Sequence, residues 1–253
     1  MKTALGSVAR GEFPRLSYPI TLKQTELNQT ALFTAHNEPE LWYLRHHGDE
    51  GSFLNEFLQT VKSQPECTVF DVGSYIGYWS IFAAFQPGVK RIYAFEPNSI
   101  TRRHLIQNLN VNKLQEKINV EDEAVTDSAS RKVLFFEEIV DGSSSLAQRG
   151  RLRQDLVTTI SLDQFVRKKD VTPDIVKIDV EGAEGLVLTG MKKLLELRCR
   201  PSHIFLELHP QFLESDFHTW PTGVVNQLTG NHYQPVSIRA RKNGTLQCHF
   251  GLK

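Results

Sequence analysis

The chain has no apolar run of the roughly 18 residues that a bilayer-spanning helix needs, so no membrane span is expected. It has no excess of charge of either sign. Its 29 basic and 29 acidic residues give a formal net charge of +0, so no global field draws it onto nucleic acid or anionic lipid. Cysteine is scarce: Cys67, Cys199 and Cys248 are scattered and odd in number. That pattern fits neither a metal cluster nor a disulfide framework, and it points to reduced thiols in a cytoplasm. The opening "MKTALGSVARGEFPRL" lacks the apolar centre of a signal peptide. Internal repeats and low-complexity tracts are absent too. What remains is 253 residues of ordinary globular composition, enough for one large α/β domain or two small ones.

Hydrophobic periodicity divides the chain at about residue 48. The first 48 residues carry Pro14, Pro19 and Pro39 with no strong period, and predict short strands or loops packed on a main domain as a substrate cap. Residues 49–253 form that domain. In "GDEGSFLNEFLQTVK", Phe53, Leu54, Phe57, Leu58 and Val61 recur on one helical face. From Cys67 to about residue 125 the pattern reads strand–helix–strand–helix–strand, with Ser99 the expected N-cap of the second helix and "INVEDEAV" the third strand. Residues 131–160 read as an insertion in which "KVLFF" and "LVTTI" pair around the loop "DGSSSLAQRGRLR". "DIVKIDV" is a fourth core strand, followed by a helix over 182–197, and "HIFLELH" is a fifth. The tail holds two strands around Asn243-Gly244, a hairpin signal. Together these predict an α/β fold: a mostly parallel sheet with helices on both faces, finished by an antiparallel hairpin strand.

The first strand-to-helix turn, "FDVGSYIG", carries Asp71, Gly73 and Gly77. The spacing G-x-x-x-G departs from the dinucleotide fingerprint G-x-G-x-x-G, and Asp71 is a poor neighbour for a pyrophosphate. A carboxylate there suits an ammonium or a sulfonium. Glu96 ends the second strand, where an acid accepts hydrogen bonds from ribose hydroxyls. Asp122 or Glu123, beside the small Ala124, ends the third and is placed to meet an adenine amino group. Amino acid, ribose and adenine, read across successive strand ends, describe S-adenosylmethionine. Ser74, Tyr75 and Pro97 complete the expected cofactor shell.

"TVFDVGSYIGYWSIFAA", "IYAFEPNSITRRHLIQNLNVN", "ISLDQF", "DIVKIDVEGAEGLVLTGM" and "IFLELHP" resemble, in order, the motifs of the FkbM family of methyltransferases. The resemblance spans residues from about 50 to 240. It implies a class I methyltransferase (Rossmann-like) fold of seven strands with the last antiparallel, an S-adenosylmethionine cofactor, and methyl transfer, usually to an oxygen of a sugar, natural product or related small molecule. Tyr75-Ile76 stand where members often carry small or polar residues, which predicts a reshaped methionine end of the pocket.

Three acids follow the fourth strand in "IVKIDVEGAEGL". Asp179 ends the strand and should face the reactive methyl group. Glu181 and Glu184 are read as charges favoured at the start of the next helix. Glu207 and His209 share a strand face, so Asp179, Glu207 and His209 are expected to converge. His209 or Asp179 then serves as the base for a hydroxyl acceptor. Alternatively Asp179, Glu207 and His209 hold Mg²⁺ or Mn²⁺. For the acceptor, Tyr43, His46 and His47 offer stacking faces and hydrogen bonds, Trp42 is expected to anchor the extension on the core, and Ser143–Ser145 form a lid or a plain loop. The basic clusters "RGRLR" and Arg167–Lys169 read as solvated faces, so a small-molecule or glycan acceptor is expected and nucleic acid is not. A nicotinamide-dependent oxidoreductase, an RNA methyltransferase and a catalytically silent binding protein are the competing classes.

Overall fold

The computed structural model describes residues 18–24, 28–46, 51–128, 131–138, 144–145, 152–217 and 220–253. A hairpin of β1 (Tyr18–Gln24) and β2 (Gln29–Ala35) leads into α1 (Glu38–His46) and α2 (Gly51–Ser63). Then come β3 (Cys67–Val72), α3 (Tyr78–Ala84), β4 (Val89–Phe95), α4 (Ser99–Asn112) and β5 (Ile118–Glu121). A small second sheet holds β6 (Ala124–Val125), β7 (Lys132–Glu138), β8 (Ser144–Ser145) and β9 (Leu152–Ile160). The chain returns through α5 (Leu162–Lys169), β10 (Ile175–Ile178), α6 (Glu184–Thr189), α7 (Lys192–Glu196) and β11 (His203–Leu208). It ends with α8 (Pro210–Phe217), α9 (Pro221–Gly230), β12 (Tyr233–Ala240) and β13 (Leu246–Leu252).

The main sheet has seven strands in the order β12-β13-β11-β10-β3-β4-β5. Strand β13 runs antiparallel to both neighbours and every other pairing is parallel. Buried strands alternate their side chains between two cores. Val69, Ile175 and Phe205 join α2, α3 and α4 on one face; Phe70, Val176 and Leu206 join α5, α6, α7 and α9 on the other. Strand order reverses between β3 and β10, which puts a ligand crevice beyond their carboxyl ends.

The amphipathic stripe of α2 is buried as its periodicity predicts. "KVLFF" and "LVTTI" do pair, as β7 and β9. The tail hairpin turns where Asn243-Gly244 predicts, with Gly244 at a φ of +88°. Three elements differ from expectation. The third strand breaks at Asp122-Glu123: β5 stays in the main sheet, while β6 leaves it to pair with β9. The helix over 182–197 is two short ones, parted at Gly190-Met191, where Gly190 lies so close to the Thr126 carbonyl oxygen that no Cβ would fit. The N-cap of α4 is Asn98 rather than Ser99; its side chain accepts from the amides of Ile100 and Thr101.

The described part of the N-terminal extension is a β-hairpin and a helix. Phe33, Ala31 and Leu44 enter the core beside α3 and α4. Polar side chains satisfy the edge of β2: Asn108 accepts from Thr34 N at 2.9 Å, and Asn112 both accepts from and donates to Leu32. Buried Glu40 meets His104 of α4 at 2.6 Å.

Candidate active site

The turn after β3 is built for close approach. Gly73 (φ +79°) packs so tightly on the Asp179 carbonyl that a side chain is excluded, and Gly77 (φ +87°) faces Leu105 of α4. These glycines therefore serve chain packing as well as backbone bending. Ser74 is buried and donates to the Asp71 carbonyl at 2.7 Å. Tyr75 sits at a φ of +51°, and its amide donates to Glu96 Oε2 at 2.9 Å. Its ring meets Tyr43 of α1 edge-on at 5.4 Å, so the extension closes directly over this turn.

Glu96, at the tip of β4, also accepts from the Asn98 amide at 2.8 Å. Burial pushes its carboxyl up to about 8, against the pull of those two N–H groups. Beyond it, Pro97, Ser99, Arg102, Asp122 and Leu156–Thr158 line a groove of about 250 Å³. Asp122 thus faces the groove. Glu123 instead pairs with Lys168 at 3.4 Å, and Ala124 is buried in β6.

Asp71 is 1% exposed and does not reach the crevice as a free carboxylate. Ser80 donates to one oxygen at 2.6 Å, and the Lys177 ammonium lies 3.3 Å from the other. Lys177 also donates to the Gly73 carbonyl at 2.8 Å and stands 3.6 Å from Asp179 Oδ2. Burial works against that ammonium, but Asp71 and Asp179 outweigh it and hold its pKa above the ordinary lysine value. Lys177 was not among the residues expected at the site. Its signal in the sequence was a lone cation within an apolar strand.

At the tips of β10 and β11 the grouping differs from the expected one. Ligand-capable atoms of Asp179, Glu181 and His209 lie within 4.8 Å of one another. Glu207 is not in that group, because Arg241 holds one of its oxygens at 2.9 Å and Gln247 the other at 3.3 Å. Glu181 belongs instead: a left-handed turn, with Glu181 at φ +54° and Gly182 at φ +105°, brings its carboxylate to 3.6 Å from His209 Nε2. Glu184 is not a plain helix-start charge either. It is fully buried, accepts from the Gly182 amide and holds His209 Nδ1 at 2.8 Å. Burial would lower the His209 pKa, but Glu184 and Glu181 outweigh it and raise it to about 10. Burial raises Glu181 to about 7 against the opposing pull of His209.

Of the expected acceptor residues, Trp42 does not anchor the extension: it is 61% exposed and stacks on His46, one turn along. Tyr43 is the anchor, with its ring edge-on to Tyr75 and Tyr78. His47 and Ser143 lie outside the described residues, and Ser144-Ser145 pair with β7. No helix among the described residues is long and apolar enough to cross a membrane.

A parallel sheet of this order with one antiparallel strand, a glycine turn after β3 and an acid at the tip of β4 make up the class I methyltransferase fold. Residues 71–224 match the methyltransferase FkbM domain, and the chain belongs to that family. It is 28% identical over 187 residues to the hexuronic acid methyltransferase AglP of Haloferax volcanii, an alignment covering 71% of this chain and 70% of that protein. A Streptococcus mutans structure assigned as an S-adenosylmethionine-dependent methyltransferase superposes with a TM-score of 0.54 at 12% identity, over 95% of this chain and 56% of that one. That likeness is one of fold.

Proposed function

We propose that the enzyme methylates an oxygen of a sugar, with glycans bearing a hexuronic acid as the leading acceptor class. The similarity to a hexuronic acid methyltransferase supports the acceptor. The observation that carries the chemistry is the pairing of Glu181 with a His209 locked by Glu184, beside Asp179. S-adenosylmethionine, when bound, supplies an electrophilic methyl carbon on a cationic sulfur. The residues fit it. Glu96 accepts one N–H on each oxygen and keeps lone pairs for a ribose. Asp122 faces the adjoining groove, and Asp179 presents a half-buried anion at the switch point. The chain's own work is to hold the acceptor oxygen in line and to take its proton. That proton goes to the Glu181 carboxylate, whose pKa near neutrality suits the task. His209, held as an imidazolium, stabilises the ionised Glu181 and is a poor base itself, which moves the base role from His209 to Glu181.

One observation favours a second reading. His209 donates Nδ1–H to a buried carboxylate and turns Nε2 toward Asp179 and Glu181, as metal-bound histidines do. Those three would hold Mg²⁺ or Mn²⁺, which would lower the pKa of the acceptor hydroxyl.

Methyl-labelled cofactor and a panel of hexuronic acid glycosides test both readings. Glu181→Gln is expected to slow transfer about 10²- to 10⁴-fold with cofactor affinity nearly unchanged. Near wild-type turnover in both Glu181→Gln and His209→Asn would end the base reading, and activity surviving exhaustive chelation would end the metal one. A cytoplasmic setting is favoured by the free thiols Cys67, Cys199 and Cys248, and cell fractionation checks it.

A further inference from the structure

Lys177 comes from the middle of a fully buried strand, where a lysine is rare unless paired. Its partner across the parallel ladder is Asp71. Asp179 lies two residues on and so shares its face. The ammonium is 3.3 Å from Asp71, 3.6 Å from Asp179, 2.8 Å from the Gly73 carbonyl and 5.8 Å from the Trp79 ring centre. One cation thus ties β3, the glycine turn and the tip of β10. A staple between two strands would need only Asp71. Two of the extra partners, Asp179 and the Gly73 carbonyl, border the crevice. Of the two carboxylates, Asp71 has a side chain 2% exposed and Asp179 one 30% exposed, so Asp179 alone presents charge outward.

We propose that Lys177 is a positioning residue for recognition of the cofactor's sulfonium. It aims the Asp179 carboxylate and leaves the trio of two anions and one cation with a single outward negative charge. The inference rests on the reading of Asp179 as the anion facing the cofactor. S-adenosylmethionine carries a cationic sulfur; S-adenosylhomocysteine, the product, carries a neutral one. An aimed anion therefore favours substrate over product and eases product release after transfer.

Calorimetric affinities for the two nucleosides test this without any acceptor. The double variant Asp71→Asn/Lys177→Met removes one anion and one cation, so the net charge of the trio is unchanged and only its geometry is lost. It is expected to melt within about 5 °C of wild type, since a buried ion pair is often replaceable by neutral groups at little cost. Its preference for S-adenosylmethionine over the product is expected to fall about tenfold. An unchanged preference in the folded double variant overturns the proposal and makes Lys177 a strand staple. Asp179→Asn, a change at the half-exposed partner, is a second route: its preference is expected to fall by a similar factor, and no change there also overturns the proposal. Wild-type protein that binds neither nucleoside would instead sink the cofactor reading itself.

Discussion

Glu96 accepts two backbone N–H bonds, yet burial holds its carboxyl up to about 8. The ionised form is the better acceptor for ribose hydroxyls, so cofactor affinity should strengthen as pH rises from about 6.5 through about 8 and then level off. Titration calorimetry across that range checks it, and Glu96→Gln should remove most of the dependence and weaken binding. Glu96 and Asp179 were legible in the sequence because an acid that closes an apolar strand breaks the strand's own pattern, and the sheet tip where it falls is where ligands sit. Glu181 was not: beside a helix start it reads as a cap, and only the left-handed turn at Glu181-Gly182 swings it onto His209. Glu207 misled for the opposite reason. Its place on the strand is as expected, but Arg241 from the end of the hairpin takes its charge.

Among the elements, the glycine turn and the tail hairpin make a controlled comparison. Gly73 and Gly244 both sit at positive φ, but Gly73 is walled by the Asp179 carbonyl and Gly244 faces open space. Gly73→Ala should therefore cost at least about 3 kcal/mol and weaken cofactor binding, while Gly244→Ala costs about 1–2 kcal/mol and leaves binding alone. Denaturant melts and calorimetry on both variants separate the two effects. Element type followed periodicity well for α2, β3, β4 and β10. Boundaries did not, at Asp122-Glu123 and at Gly190. The contacts found there, Ala124 with Thr159 and Gly190 with Thr126, join segments far apart in sequence.

At the scale of the molecule, α2 and the last three strands of the sheet's far edge are joined by a half-buried polar chain. His203 meets His249 at 2.9 Å, His249 meets Glu56 at 2.7 Å, and Glu56 also holds Arg239 and Ser237. Burial keeps both histidines below their ordinary 6.5, so the unfolded chain takes up protons more readily than the folded one. Their contribution is present above pH about 6.5 and is lost as pH falls below it. Glu56, depressed because its partners outweigh burial, adds a further loss at lower pH. Relative to His249→Gln, the wild-type melting temperature should therefore fall between pH about 7 and pH about 5, as scanning calorimetry of the pair would show.

The sequence by itself determined the sheet and the two-faced helix packing, because alternation, glycine turns and strand-end acids are local signals that repeat along the chain, and the resemblance of its ordered motifs gave the family and with it the cofactor class. The tertiary structure decided which charges meet. Lys177 joins Asp71 to Asp179, and Glu184 turns His209 toward Glu181. Such pairings depend on strand order and on single left-handed residues, and spacing along a chain carries neither.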